Sequence, residues 1–328
     1  MNDQFDVAGA RAQVTRLKRE IGKRIVGHDS LVDGILACLL ASGHVLLEGV
    51  PGLGKTMLVK TLSDALHLDF ARIQFTPDLM PADIIGTQIV AHDEQGNRHF
   101  QFQPGPVFTQ LLLADEINRA TPKTQSALLE AMEENKVTVG RSGHALDQPF
   151  MVLATQNPIE MEGTYPLPEA QLDRFLLKLI AEYPSEKELA TIIDLSTGGR
   201  EVAVEPVLTR DELQALRVLT RTVVVAGQVK QFAIRVVLAT HADNEAAPPL
   251  TQRYVRHGAS PRGVLSMILV AKAFALFDGR LNVGFDDLKA ASVPALRHRI
   301  LLNFEGEAEG IAPEMLIEEI IRETPVTG

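Results

Sequence analysis

Cysteine is almost absent from this sequence. The 328 residues include one, Cys38, which excludes a disulfide framework and a cluster of thiolate metal ligands. Cys38 lies in the apolar stretch ILACLLAS, where we expect it to pack rather than to react. The nine histidines show no metal-binding spacing such as H-E-x-x-H, and the sequence suggests no Ser/His/Asp set.

Long apolar runs are also missing. The longest candidate, GVLSMILVAKAFALF, is shorter than the ~18 residues that a membrane span needs and is interrupted by Lys272. The N-terminus begins with acidic and polar residues, unlike a signal peptide, so we expect a soluble, cytoplasmic protein. The net charge of −10 argues against a non-specific nucleic-acid surface, although a local basic patch remains compatible with it.

Hydrophobic residues make up 45% of the chain, enough for a substantial core. Up to about residue 182, apolar strand-like runs alternate with helical patterns at Met57–Leu66 and Gln125–Glu134. This alternation predicts an α/β fold, a parallel sheet with helices on both faces. The predicted strands are Val45–Leu47, Phe70–Gln74, Leu111–Ala114, Met151–Thr155 and Phe175–Ile180.

Beyond Pro184 the remaining long apolar patterns have helical periodicity, and no buried strand is evident between them. The composition of the stretch STGGREVAVEP is typical of a linker. We therefore predict two domains, an α/β domain at 1–198 and a smaller all-helical domain at 199–328.

A glycine-rich loop follows the first predicted strand in VLLEGVPGLGKTMLVKTL. The order strand, glycine loop, helix makes the pattern G-x-x-x-x-G-K-T a predicted phosphate-binding loop, with backbone N–H groups directed at the phosphates. The side chain of Lys55 is expected to reach the β- and γ-phosphates, and the Thr56 hydroxyl to ligate Mg²⁺. The alternative is a glycine turn that binds nothing. The loop residues are Gly49, Val50, Pro51, Gly52, Leu53, Gly54, Lys55 and Thr56.

An acidic pair ends the apolar strand in LLLADEINRA. Carboxylates at the C-terminal end of a parallel strand point into the crevice where ligands bind, so Asp115 is the expected Mg²⁺ partner of Thr56. Glu116 is then expected to polarise the attacking water. The alternative is two solvated acids that cap the next helix.

Three further polar residues are candidates for contact with phosphate. Asn157 follows the strand in FMVLATQNPIE and is placed to orient water or touch the γ-phosphate, unless it is a turn residue before Pro158. Arg262 puts a cation at the positive end of a helix capped by Ser260, which a nearby anion such as a nucleotide phosphate would explain; the alternative is an ordinary exposed arginine whose charge is screened. Arg174, in LDRFLLKLI, fits an arginine acting on a neighbouring subunit; the alternative is an ion pair with Asp173 or Glu169.

Taken together, GVPGLGKT, LLLADEIN, ATQNP, LDRF and GASPR resemble the AAA+ ATPases and, within them, the MoxR family. The resemblance extends from about Ile25 to about Asn303, through RIVGH, RATPKTQSALLEAMEENKVT and LRHRI. It implies an α/β core with a helical lid, ATP bound between them, Mg²⁺, and ring-shaped oligomers, usually hexamers, with active sites at subunit interfaces. The matching positions are Gly49 to Thr56 for Walker A, Asp115 and Glu116 for Walker B, Asn157 for sensor 1, Arg174 for the arginine finger, and Arg262 for sensor 2.

The resemblance also assigns Val26 and Gly27 to the segment that packs on adenine, with His28 where Gln is more usual. It implies two hairpin inserts, near 83–102 and 136–146, that face a central pore and touch the substrate; the alternative is two exposed hairpins without a partner. Arg119 is a weaker second candidate for action across the interface. The basic cluster Arg297 to Arg299 is interpreted as structural or interfacial.

The function that this resemblance implies is ATP hydrolysis coupled to remodelling, maturation or assembly of a partner protein. MoxR proteins generally work with von Willebrand factor A domain proteins. Two alternatives use the same nucleotide site: a metal-chelatase-type motor subunit or a nucleic-acid translocase, and a nucleotide-gated binding module with little turnover. DNA-stimulated hydrolysis would favour the translocase. Glu116 and Arg174 argue against the simple binding module, which needs neither.

Overall fold

A five-stranded parallel sheet organises the first part of the chain. The computed structural model describes residues 6–50, 52–92, 96–140, 142–158, 163–198 and 202–326. In space the strands follow the order β2-β5-β8-β1-β9, and each neighbouring pair is parallel, as predicted. They are β1 (Val45–Glu48), β2 (Phe70–Gln74), β5 (Leu111–Asp115), β8 (Met151–Gln156) and β9 (Leu177–Ile180).

The two faces of this sheet belong to different hydrophobic cores. Side chains alternate along a strand, so Leu46 and Leu112 enter one core, packed against helices that follow β2 and β5. Leu47 and Leu113 enter the other core, together with the N-terminal helices and the second part of the chain. Burial on both faces explains why the strands appear in the sequence as continuous apolar runs.

The helices of the first part lie on both faces of the sheet. They are α1 (Val7–Ile21), α2 (Asp29–Leu40), α3 (Lys55–Leu66), α4 (Pro81–Ile85), α5 (Pro122–Glu134), α6 (Glu169–Leu172) and α7 (Glu186–Thr197). The two predicted helices correspond to α3 and α5. The helix α7 begins with a capping box, in which Ser185 and Glu188 satisfy each other's backbone N–H groups.

Two antiparallel hairpins project from this domain. One is formed by β3 (Gly86–His92) and β4 (Arg98–Pro104), and the other by β6 (Lys136–Val139) and β7 (Ser142–Ala145). They occupy the regions predicted at 83–102 and 136–146, although residues 83–85 belong to α4; residues 93–95 and 141 lie outside the described residues. At the base of the first hairpin, a Cβ on Gly86 would lie 2.3 Å from the Gln103 carbonyl oxygen, so the two backbones meet directly.

An aromatic stack joins the two hairpins. The rings of Phe102 and His144 lie 3.9 Å apart between centroids and are nearly parallel, and Phe108 meets both edge-on. Beyond this stack, Phe100 and its cross-strand partner Val90 are exposed. The hairpins therefore form one unit, and the first hairpin carries an exposed apolar cross-strand pair.

The second part of the chain is mostly helical, as predicted. Its helices are α8 (Arg210–Thr222), α9 (Gly227–Leu238), α10 (Pro249–Tyr254), α11 (Pro261–Phe277), α12 (Phe285–Leu296), α13 (Phe304–Ala308) and α14 (Pro313–Glu323). Ser260 caps α11 and Pro261 is its first residue, as the sequence indicates. The structure adds one short antiparallel pair, β10 (Val255–His257) and β11 (Leu301–Leu302). Strands this short have no recognisable sequence period.

This helical domain is packed onto the first domain through a shared core. Helix α11 contacts α1 and α2, and α12 contacts the edge strand β9. The apolar cluster is continuous from Leu17 on α1 through Leu177 on β9 to Met267 on α11. The boundary at residue 198 stays a prediction; α7 ends at Thr197, and residues 199–201 lie outside the described part of the chain.

Candidate functional site

The glycine-rich loop joins β1 to α3 at the carboxyl edge of the sheet. Gly52 and Gly54 have φ angles of 87° and 72°, and Gly54 is the N-cap of α3. Open space surrounds both α-carbons, so the left-handed backbone rather than crowding selects glycine there. Pro51 lies outside the described residues. The first turn of α3 thus directs its unpaired N–H groups toward the loop, as anion binding requires.

A cavity of about 610 Å³ opens beside this loop, within the volume range of small-molecule sites. Three segments line it: the chain before α2, the loop with the start of α3, and α7 with the residues that precede it. Val26 and His28 lie in its wall, whereas Gly27 (φ 79°) packs against the Glu188 carboxylate. Beyond α7, Val202 is the last of the described residues that line the cavity, and it precedes the first helix of the second part of the chain, so α7 rather than those helices closes the cavity.

Lys55 is half-buried at the start of α3, and its ammonium donates a hydrogen bond to the Gly49 carbonyl oxygen. Burial lowers the pKa of Lys55, and the charges of Asp115 and Glu116 oppose that change. The lysine is therefore close enough to the acidic pair to respond to its charge. The loop and the acidic pair form one site.

Thr155 on β8 connects the two acidic residues. Its hydroxyl donates to Asp115 Oδ1 over 2.6 Å and accepts from the Glu116 backbone N–H over 2.9 Å. Glu116 has φ 56° and ψ 50°, a left-handed conformation that is uncommon for a side chain of this kind and costs about 1–3 kcal/mol. The bond from its N–H to Thr155 helps to hold that conformation, which turns the chain at the end of β5.

Strand β2 supplies partners that sequence analysis did not identify. Arg72 Nη2 donates to Asp115 Oδ2 over 2.6 Å, and Gln74 Nε2 donates to Glu116 Oε2 over 2.7 Å. Arg119 also pairs with Glu116, at 3.0 Å. Arg72 and Gln74 are polar residues two positions apart on the predicted strand, and this spacing was the only sign of a role for them. Their partners could not be predicted, because they depend on the pairing of β2 with β5.

The residues present fit a magnesium ion. The hydroxyl of Thr56 and the carboxylate of Asp115 are hard oxygen donors, and Mg²⁺ typically takes only one or two protein ligands beside phosphate and water. Thr56 lines the cavity, and Asp115 is the last residue of β5, at the same edge of the sheet as the glycine-rich loop. The described residues contain no cluster of three or more His, Cys, Asp or Glu side chains that suits another metal.

Asn157 is buried directly after β8. Because β8 lies between β1, which leads into the loop, and β5, which carries the acidic pair, Asn157 follows the strand between these two features. The topology therefore brings the loop, Asp115, Glu116 and Asn157 to one edge of the sheet.

The two predicted arginines lie elsewhere, next to each other. Arg174 Nη2 is 3.1 Å from Glu133 Oε2, and Arg262 Nη2 is 2.9 Å from Glu133 Oε1. The proposed alternative partners of Arg174 are paired differently, since Asp173 contacts Arg299 and Glu169 contacts Arg256. Both arginines line a second, smaller cavity of about 210 Å³.

This arginine site is at the amino edge of the sheet. Its wall includes His44, which precedes β1, and Leu176, which precedes β9. The glycine-rich loop begins at Gly49, five residues further along β1, so the two edges are about 16 Å apart at ~3.3 Å per residue. The structure does not bring Arg174 or Arg262 into the cavity beside the loop.

Within the described parts of the chain, no helix is both long and apolar enough to cross a membrane.

Two models of known domain families match the chain. A model of the ATPase family associated with various cellular activities (AAA) matches residues 44–177, and a model of the AAA lid domain matches 248–320. The chain is 43% identical to chaperone MoxR1 of Mycobacterium tuberculosis, over 96% of this chain and 83% of the relative. It is also 43% identical to YeaC of Bacillus subtilis, over 92% and 91%, and 28% identical to MoxR of Paracoccus denitrificans, over 89% and 90%.

A solved structure gives the same fold. A protein from Cytophaga hutchinsonii, named as a candidate ATPase, superposes with a TM-score of 0.91 at 40% sequence identity. The match covers 98% of this chain and 97% of that one.

Proposed function

This chain belongs to the MoxR family of AAA+ ATPases, and we propose from that premise that it hydrolyses Mg-ATP to remodel, mature or assemble a partner protein. The observation that carries the proposal is the cavity beside the glycine-rich loop, which Lys55 and Thr56 line, with Asp115 and Glu116 at the same edge of the sheet and near enough for their charges to raise the pKa of Lys55. A phosphate-binding loop needs only the first two residues. A second carboxylate beside the metal-binding one supports hydrolysis rather than binding alone.

In the proposed reaction the loop N–H groups and Lys55 bind the phosphates, and Val26 packs on the adenine. Thr56 and Asp115 would hold Mg²⁺, which supplies positive charge against the developing charge of the phosphate oxygens. Glu116 accepts a proton from the attacking water, and Asn157 orients that water.

The hydrogen bonds to Glu116 bear on this role. Gln74 and Arg119 both donate to Glu116 Oε2, and neither contact involves Oε1. One carboxylate oxygen is thus fixed by the protein. We propose that the other receives the water, so that Gln74 positions the general base.

The site is completed in this proposal by a neighbouring protomer. Arg174 and Arg262 lie on the amino edge of the sheet, about 16 Å by strand length from the loop of their own chain. A head-to-tail arrangement brings the amino edge of one protomer to the carboxyl edge of the next, and such contacts close into rings. We propose that both arginines act there, in a hexameric ring that is cytoplasmic.

The joined hairpins are the proposed contact with the partner protein. Phe100 is 75% exposed, and its cross-strand partner Val90 is also exposed, so the first hairpin presents an accessible apolar pair. By family, a von Willebrand factor A domain protein is the proposed partner class.

The test measures phosphate release from Mg-ATP together with the mass of the assembly. Lys55→Ala is expected to lose nucleotide binding. Glu116→Gln is expected to bind ATP and to hydrolyse it at least about 100-fold more slowly. Arg174→Ala should bind normally and be slowed about 1,000-fold. Glu318→Gln, an exposed residue on α14, is the matched control and should behave as wild type.

Wild-type turnover by Glu116→Gln would overturn the hydrolytic assignment. Wild-type turnover by Arg174→Ala at concentrations where the protein is monomeric would overturn the shared site. A purified von Willebrand factor A domain protein from the same organism should raise the ATPase rate. Stimulation by DNA instead would favour a translocase.

A further inference from the structure

Arg299 binds the segment that carries Arg174. Its Nε donates to Asp173 Oδ1 over 2.7 Å, and its Nη2 donates to the carbonyl oxygens of Asp173 and Phe175 over 3.0 and 2.7 Å. Its Nη1 reaches the Leu176 carbonyl oxygen over 3.3 Å. One guanidinium thus bonds to the residue on each side of Arg174.

Neighbouring groups of the helical domain extend this attachment. His298 Nε2 is 3.1 Å from the Phe175 carbonyl oxygen, and the Ser260 hydroxyl donates to the Asp173 carboxylate over 2.9 Å. Ser260 caps α11, the helix that carries Arg262 in its first turn. The same carboxylate, that of Asp173, therefore connects the backbone next to Arg174 with the helix start next to Arg262.

The Arg299 side chain is 2% exposed. A buried guanidinium keeps its full complement of hydrogen bonds in a fixed planar geometry, which a flexible surface pair does not. By contrast, the contacts of Arg174 and Arg262 with Glu133 are partly exposed, and such pairs are weak. The bases of the two arginines are fixed, and their tips are free to exchange partners.

We propose that Arg299 is a positioning residue for hydrolysis in the neighbouring protomer. It holds Arg174 and Arg262 at a set separation, so that both reach one phosphate group of the adjacent site at the same time. This inference rests on the proposed function, because it requires Arg174 to act across the interface. It assigns no contact between Arg299 and nucleotide.

From the position of Arg299 we predict a change in kcat rather than in KM. The cavity beside the glycine-rich loop does not include it, so its loss should leave nucleotide binding by the same chain unchanged. Displacement of Arg174 by about 1 Å would slow the chemical step by about 100-fold. We expect Arg299→Gln to lower kcat by that factor with little change in KM.

Mixed assemblies test the direction of the effect. In a mixture of Arg299→Gln and Glu116→Gln protomers, up to about a quarter of the interfaces pair an intact catalytic glutamate with an intact arginine segment. If Arg299 serves the neighbour, mixing restores activity well above that of either variant. If it serves its own site, both kinds of protomer are defective in cis and mixing restores nothing.

A combined variant separates positioning from general destabilisation. Arg299→Gln added to the pair Arg174→Ala and Arg262→Ala should cause no further slowing, because both residues being positioned are already absent. An additive loss would overturn the proposal. So would a shift in KM without a change in kcat.

Arg297→Gln is the matched control. Arg297 lies two residues before Arg299, is partly buried, and pairs with Glu314 rather than with residues 172–176. The variant should therefore keep the wild-type rate. If Arg299→Gln fails to fold, Arg299→Lys keeps the charge but not the planar set of bonds, and should show the same kcat loss in milder form. A wild-type kcat for Arg299→Lys would contradict the proposal. If Arg174→Ala is itself fully active, the proposed function has failed, whatever Arg299 does.

Discussion

The hydroxyl of Thr155 bonds at the same time to the carboxylate of Asp115 and to the backbone of the residue after it. Thr155 is fully buried, so water does not replace these bonds when the hydroxyl is lost. Thr155, to which the sequence motifs assign no role, therefore holds the Asp115 carboxylate and the Glu116 backbone in place.

Replacing Thr155 by valine keeps the shape and removes the hydroxyl. We expect a loss of about 1–3 kcal/mol in unfolding free energy, since a buried acceptor and a buried donor lose their partner. We also expect a fall in kcat of at least about 10-fold, because the orientation of Glu116 is no longer fixed. Chemical denaturation and phosphate release measure the two effects. Thr15→Val, on the exposed side of α1, is the control; equal effects in both variants would contradict this role.

Glu133 pairs with both Arg174 and Arg262, and in the proposed shared site it would compete for them with the phosphates of the neighbouring protomer. Its pairs with them are partly exposed, so Glu133→Gln should change the unfolding free energy by about 1 kcal/mol or less. Release of the arginines should lower the protein concentration needed for half-maximal ATPase rate. Rate measurements over a protein dilution series test this. Glu134→Gln, next to it and paired with Lys136, should leave that concentration unchanged. A higher concentration for Glu133→Gln would show that the glutamate assists assembly.

His44 makes the protein sensitive to acid. It accepts from the Val152 backbone N–H and lies 3.1 Å from the Met132 carbonyl oxygen, which is the pattern of a neutral ring. Burial lowers the pKa of His44 to about 4, from 6.5. Between pH 4 and 6.5 the unfolded chain binds a proton at His44 that the folded chain does not. The contribution of His44 to the unfolding free energy is therefore fully present above pH 6.5 and is lost as the pH falls toward 4.

We expect the unfolding free energy to be lower at pH 5 than at pH 7.5 by about 2 kcal/mol for this reason. Denaturation midpoints at the two pH values should therefore differ more for wild type than for His44→Gln, which does not titrate. Burial also lowers the pKa of His298, so some acid sensitivity should remain in the variant. An identical pH dependence in the two proteins would show that His44 is not responsible.

Because of the ring stack between the hairpins, we expect substitutions of Phe102 and Phe100, two residues of β4, to differ in their effect on the second hairpin. Phe102→Ala should loosen the second hairpin, because Phe102 stacks on His144, and such aromatic pairs contribute about 0.5–1.5 kcal/mol beyond burial. Phe100→Ala should have no such effect, since that ring is exposed. Hydrogen exchange at residues 136–145 distinguishes them. Equal protection in both variants would contradict the coupling of the hairpins.

Local patterns were enough to predict much of this molecule. The strand at Phe70–Gln74 has the predicted bounds, and the glycine-rich loop lies between β1 and α3 as expected. These features depend on neighbours in the chain, where periodicity and turn chemistry operate. The short pair β10 and β11 has no such local signal.

The partners of the functional residues could not be predicted in the same way. Thr155 is 40 residues from Asp115, and Arg299 is 126 residues from Asp173. Arg174 and Arg262 were identified from motifs, but their place at the amino edge of the sheet follows from how α11 and α5 come together. Such contacts depend on tertiary packing, which one sequence does not encode in any local spacing.

The shared hydrophobic core has a mechanical consequence. The helical domain is joined to α1, α2 and β9 by one continuous apolar cluster, and Arg299 adds a buried polar joint. Opening a hinge inside the protomer would expose that apolar surface to water, at roughly 25 cal/mol for each Å². The protomer is therefore stiff. In the proposed ring, strain generated by hydrolysis would therefore be relieved at the contacts between protomers, and each protomer would turn as a rigid body together with its paired hairpins.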